Sequence, residues 1–271
     1  MKRAAFILAS LALTACPKKE EALTLAEARS ALEEAGASSS AENLTAASVD
    51  ISTSFTLGAA VEQAADEIRT FIQSQLPCAE ISLEGRTLTV EYGVNPGNCT
   101  YRGHQFSGSH SITVTRNDGG QVIVDHEWTD FSNGVVELDG TAHVAWDFDA
   151  ESRRVEHLTN WTHLASGRTG QGSGDRTQTL LEGGLAEGIR VDGVRSWKGQ
   201  RGQWDLGIDG VEWRWADPVP QAGTYTLSTP FDKTVSMSFS RVDADTIEVT
   251  VSGPKKSFSF TVSKLGVVSD S

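Results

Sequence analysis

In "VIVDHEWTDFSNG", residues 122–134, Asp125 and Glu127 stand two apart. On a β-strand both point to one face, about 6.6 Å apart by strand rise. That is near the range for the carboxylate pair of glycoside hydrolysis, where one acid protonates the leaving oxygen and the other attacks or activates water. The plainer reading is a wet strand face carrying solvated acids. His126, between them, alternates with Val122, Val124 and Trp128 on the apolar side. His110 falls on the apolar side of the preceding strand, and one bulge residue in the "NDGG" turn would make the two histidines cross-strand neighbours. His157 and His163 flank Trp161 further along. Metal sites need three or four converging ligands, and the chain contains no HxH or HExxH pattern. Structural histidines hydrogen-bonded within a sheet are therefore expected, with no metal or other cofactor.

Seven tryptophans offer a second kind of site. Pairing across the "GQRG" turn with Lys198 opposite Gln203 sets Trp197 against Trp204, while Trp213 and Trp215 share a face. Such side chains either pack, at roughly 0.2–1 kcal/mol per cross-strand pair, or form a platform for sugars or an apolar ligand. The acidic run resembles the strand motif of the β-jelly-roll glycosidases, where Glu, Asp and Glu alternate toward a cleft. The resemblance implies a glycan ligand, with Asp125 and Glu127 as the acids. Two features depart from it: the order is Asp125-His126-Glu127, and Asp130, the third acid, falls on the opposite face by parity. Gly-rich pieces such as "GDRTQT" have no helix behind them and make no phosphate cradle. No Ser-centred elbow or nucleotide-binding fingerprint is present.

Several elements must position these residues. From residue 80 onward strands alternate with turn signals at short spacing: "EGR" at 84–86, "NDGG" at 117–120, "SNG" at 132–134, "DAES" at 149–152, "GQRG" at 199–202, "DAD" at 243–245 and "GPKK" at 253–256. That rhythm predicts antiparallel hairpins in sequence, with one face buried and one wet. "SGRTGQGSGD" at 166–175 reads as a loop, and "ADPVPQAG" at 216–223 as a rigid joint. "SVDISTSFTL" at 48–57 alternates like a strand. Val61, Ala64, Ala65, Ile68, Phe71, Ile72 and Leu76 then trace one helical stripe, stopped by Pro77. Earlier, "TLAEARSALEEAG" predicts a short helix with Thr24 as N-cap and Gly36 just past its end.

The amino terminus locates the chain. Lys2 and Arg3 precede an apolar run from Ala4 to Ala15, interrupted only by Ser10 and Thr14. This is the length of a secretory signal and too short to span a bilayer. Leu13-Thr14-Ala15-Cys16 resembles the lipobox of bacterial lipoproteins. That resemblance implies cleavage before Cys16, acylation of its thiol and an anchor in the membrane. Pro17, where the family's inner-membrane retention signal has Asp, points to the outer membrane. An ordinary signal peptide that happens to contain a cysteine is the alternative. Removing residues 1–15 takes away two basic residues and no acid, so the formal charge moves from −13 to −15. No Lys/Arg cluster exists for a nucleic-acid partner.

Three cysteines would leave one unpaired in an exported protein. With Cys16 acylated, Cys78 and Cys99 are left to form a disulfide, worth about 3 kcal/mol. Two free thiols or a metal pair are the alternatives. The order Cys78, "EYGVNPGNCTYRG", "HEWTDFSNG", "WKGQRGQWDL" and "WADPVPQAGTYTL" resembles a group of β-rich, uncharacterised predicted lipoproteins. The group implies no activity.

The expected architecture is mainly β: a long antiparallel meander, curved or two-layered, with one covering N-terminal helix and a short tether helix. Residues 1–15 read as signal, 16–48 as tether, 49–215 as a β domain with its helix at 58–76, and 223–263 as a C-terminal β-meander. The expected function is a lipid-anchored, non-catalytic binding or structural module of the cell envelope. An apolar ligand held between helix and sheet is one possibility. A carboxylate-dependent glycan hydrolase on a β-sandwich is the alternative.

Overall fold

The computed structural model describes residues 21–52, 61–118, 121–147, 149–184, 187–214, 217–263 and 267–270. The signal and lipobox, with Cys16, lie outside the described residues, as does Trp215. Helix α1 (Leu25–Ser52) opens with a reciprocal cap. The Thr24 amide donates to Glu27 Oε2 at 2.8 Å, and the Glu27 amide donates to Thr24 Oγ1 at 3.2 Å. The expected short tether helix does not stop at Gly36; it runs 28 residues. Val49–Ser52, expected to begin a strand, are its last turn, and the remainder of that expected strand, 53–57, lies outside the described residues.

The misreading has a physical cause. α1 is buried on nearly every side and so carries no amphipathic stripe. Its alanines and serines are small enough for strands to close around it. Inside, Thr45, Ser48 and Ser52 donate their hydroxyls to carbonyls of the preceding turn, which satisfies them without water.

Helix α2 (Val61–Gln75) follows the predicted stripe: Ala64, Ala65, Ile68 and Ile72 are buried. It packs on β1 (Glu80–Glu84), β2 (Thr87–Tyr92) and the later strand β5 (Ser107–Arg116). Cys78, just past α2, is bonded to Cys99 with their Cα atoms 5.4 Å apart. Cys99 leads into a separate hairpin of β3 (Thr100–Tyr101) and β4 (His104–Gln105).

The meander continues through β6 (Val122–Ser132), β7 (Val136–Asp147), β8 (Ser152–His163), β9 (Arg168–Leu180), β10 (Ile189–Gly199), β11 (Gly202–Trp213), β12 (Ala222–Ser228), β13 (Thr234–Arg241), β14 (Thr246–Gly253), β15 (Lys256–Ser263) and β16 (Val268–Asp270). All but β3 and β4 join one antiparallel sheet of fourteen strands in sequence order, open at β1 and β16. The sheet bends around α1, which touches β7, β8, β13 and β14. Trp128, Trp146, Trp197, Trp204, Phe131 and Phe260 are fully buried in the core.

One expectation fails within the sheet. The glycine-rich 166–175 stretch is no loop; from Arg168 it forms β9. Its alternate glycines make room for large neighbours, since a Cβ on Gly170 would meet the Trp161 ring at 2.4 Å and one on Gly174 would meet His157 Cε1 at 2.3 Å. The described part of the proline-containing joint, 217–221, is a loop between β11 and β12. β12 pairs with β11, Leu206 opposite Leu227, so the C-terminal meander continues the same layer.

Candidate groove on the wet face

The two acids singled out by spacing lie on the outer face of β6, and hairpin register extends them into a larger surface. One row of backbone partners runs Thr113, Asp125, His143, Glu156, Asp175, Val194, Gly207 and Thr226 across β5 to β12. The adjacent row runs Ser111, Glu127, Thr141, Leu158, Ser173, Ser196, Asp205 and Ser228. Together these rows line a cavity of about 1010 Å³. Seven strand spacings of about 4.8 Å make it some 34 Å long. Short Ser, Thr and Gly side chains keep it hollow. Bulges at Ser107/Ser109, Trp128/Phe131, Val191/Gly193 and Asp209/Glu212 bend the strands beside it.

Electrostatically the groove is acidic. Asp125 accepts from His143 Nδ1 at 2.7 Å, both side chains about half exposed. Among the described residues, no group pairs with Glu127. Asp175 accepts from Arg154 Nη2 at 2.7 Å, and Glu156 from the same nitrogen at 3.1 Å. The Arg154 hydrogen bond holds the Asp175 carboxyl below the usual range. Asp205 accepts from Ser196 Oγ at 2.6 Å. Leu158 and Val194, each 58% exposed, stand in the middle of the groove.

Asp130, expected on the opposite face, is also exposed. The bulge between Trp128 and Phe131 adds a residue there, Asp130 takes φ 48°, and its amide donates to Asp139 Oδ1 at 2.8 Å. It does not line the groove with Asp125 and Glu127.

Beneath the groove lies the row containing His126, His157, Gly174 and Arg195, facing α1. His126 and His110 meet as expected, but diagonally: Trp128 is opposite His110, and His110 Nε2 lies 2.9 Å from His126 Nδ1. Burial lowers His110 to about 3 and His126 well below its ordinary value. No cluster of three potential metal ligands occurs among the described residues. Trp197 stacks on Trp204 with ring centroids 6.2 Å apart, both are buried, and Trp197 Nε1 donates to Glu34 of α1 at 3.4 Å. Trp213 is buried too. These side chains form core, not an exposed platform.

Sequence reasoning missed a buried series of acids on α1. Glu34 accepts from Arg168 at 3.0 Å, Glu42 pairs with Arg176 and His157, and Asp50 accepts from Tyr101 at 3.0 Å and Arg102 at 3.3 Å. Burial raises Asp50, with Arg153 and Arg102 opposing, and lowers Arg176 to about 9. The eight-residue spacing of Glu34, Glu42 and Asp50 was the available signal. These pairs set where the helix sits in the sheet. No family model, curated protein or solved structure matches this chain.

Proposed function

We propose that the chain is a lipid-anchored protein of the bacterial cell envelope, more specifically of the outer membrane, whose β domain is a non-catalytic binding module. The groove across β5 to β12 carries this reading, because two rows of carboxylates and hydroxyls there line a cavity of about 1010 Å³. An apolar ligand between α1 and the sheet would have smaller hollows than this groove. The cavity beside Glu42 and Arg176 is about 20 Å³. A second hollow, about 270 Å³, lies between α1 and β15–β16.

The lipobox supports the anchor, and the fold changes what the anchor implies. The Ala22 carbonyl accepts from Lys233 Nζ at 3.1 Å and the Leu23 amide donates to Pro254 O at 2.9 Å, so the chain is held to the body from Ala22 onward. At most five residues, 17–21, would separate it from Cys16, a reach of about 20 Å fully extended. The expected long tether becomes a short one, and the α1 end of the domain rests near the bilayer.

The hydrolase alternative keeps its two acids at the groove, but Asp125 is committed to His143, and Trp197, Trp204 and Trp213 are buried. The test is purification of the native protein from membranes, with mass spectrometry of its amino terminus and of co-purifying molecules. An acylated Cys16 and a species lost in a Glu127→Gln/Asp205→Asn variant are expected. An intact Met1 without fatty acid would remove the anchor. Hydrolysis of a glycan, abolished by Glu127→Gln, would remove the non-catalytic reading.

A further inference from the structure

We infer that the wet-face groove receives an extended basic peptide segment of a partner protein, lying across the strands. The inference rests on the groove being a binding site, not on the lipid anchor. Five carboxylates face it: Asp125, Glu127, Glu156, Asp175 and Asp205. Arg154 pairs with Glu156 and Asp175, His143 hydrogen-bonds Asp125, and Arg195 reaches the groove from the buried row beneath it. The surplus is negative, so the complementary occupant carries amines or guanidiniums, and its arrival is accelerated by the field.

Charge alone would also suit an inorganic cation or a free polyamine. Leu158 and Val194 argue for a peptide. They stand at the centre of an acidic surface, exposed on β8 and β10 with Ser173 and Asp175 between them in the register. An apolar side chain of the occupant would cover them, and a bare cation would leave them wet. Length agrees: about 34 Å of groove accepts about ten extended residues at 3.3–3.4 Å each. Hydroxyls in the second row, Thr141, Ser173 and Ser196 among them, supply partners for a peptide backbone that has no strand beside it.

The test uses the full folded domain and a synthetic ten-residue peptide of four lysines, two leucines and four serines, followed by calorimetry at low salt. The lysine peptide should bind, weaken as salt rises, and bind at least tenfold more weakly to Glu127→Gln/Asp205→Asn. Leu158→Ser should weaken the peptide several-fold and leave spermine unchanged. All three substitutions are on the wet face, and melting temperatures verify folding. Equal binding by the double variant, binding of a glutamate-for-lysine peptide, or spermine binding as tight as the peptide would each overturn the inference. If the lysine peptide fails while the double variant still loses a natively co-purifying species, only the occupant is wrong. If both fail, the groove is not a site.

Discussion

Glu42, on the central helix, accepts a hydrogen bond from His157 Nε2 at 2.9 Å while Arg176 donates to the other ring nitrogen at 3.1 Å. Because arginine can only donate, His157 is held as the neutral tautomer protonated on Nε2. One carboxylate thereby ties α1 to β8 and β9 inside the sheet.

Removing that carboxylate leaves a buried guanidinium uncompensated. Glu42→Leu is expected to destabilise the fold by about 3–5 kcal/mol. Glu42→Leu combined with Arg176→Met should recover most of the loss, since two apolar side chains of similar size need no pairing. Urea unfolding of both single variants and the double variant measures the coupling. Additive losses would show that the pair does not hold the helix.

Acid should destabilise the protein from near-neutral pH downward. Burial lowers His157 to about 4 and His110 to about 3, against an unfolded value near 6.5. Between those limits the unfolded chain binds protons that the folded chain refuses, so stability rises with pH and levels off above about 6.5. Each such histidine contributes about 1.4 kcal/mol per pH unit within the window. Asp50, raised by burial, acts with the opposite sign above its unfolded value. Melting temperatures at pH 7.5, 6 and 5 should fall in that order, and less steeply in His110→Gln. A flat profile would mean that these imidazoles are protonated in the fold.

Gly174 is opposite His157 in the β8–β9 register, and a Cβ there would lie 2.3 Å from the imidazole. Gly174→Val should therefore lose about 1–3 kcal/mol through overpacking. Gly174→Val/His157→Ala should regain part of it in thermal melts. Wild-type stability in Gly174→Val would contradict this close packing.

The Cys78–Cys99 bond closes a loop across 21 residues at the end of α2. Cys78→Ser/Cys99→Ser should cost about 3 kcal/mol on the chain-entropy account. Reductant should lower the melting temperature of the wild type and leave the double variant unchanged.

The strands of the meander were legible because Gly, Asn and Asp at hairpin turns report local backbone requirements. "SNG", "DAES", "GQRG" and "GPKK" all fall at turns of the observed sheet. The α2 stripe was legible for the same reason, since one face of that helix meets water. α1 was not. Surrounded by the sheet, Val49 and Ile51 alternate with residues that are also buried, so no period separates helix from strand. Gly170, Gly172 and Gly174 misled in the opposite direction, because glycine marks flexibility in a sequence and marks space for Trp161, Trp197 and His157 in this sheet.

Local chemistry in the sequence thus determined the β meander, the amphipathic helix and the same-face pair Asp125 and Glu127. Only the tertiary structure decided that the sheet bends around α1, that Trp197, Trp204 and Trp213 face inward, and that Glu156, Asp175 and Asp205 join those two acids in one groove. Those outcomes depend on registers between strands and on ion pairs between residues far apart in the chain, and neither leaves a periodic signal in the local sequence.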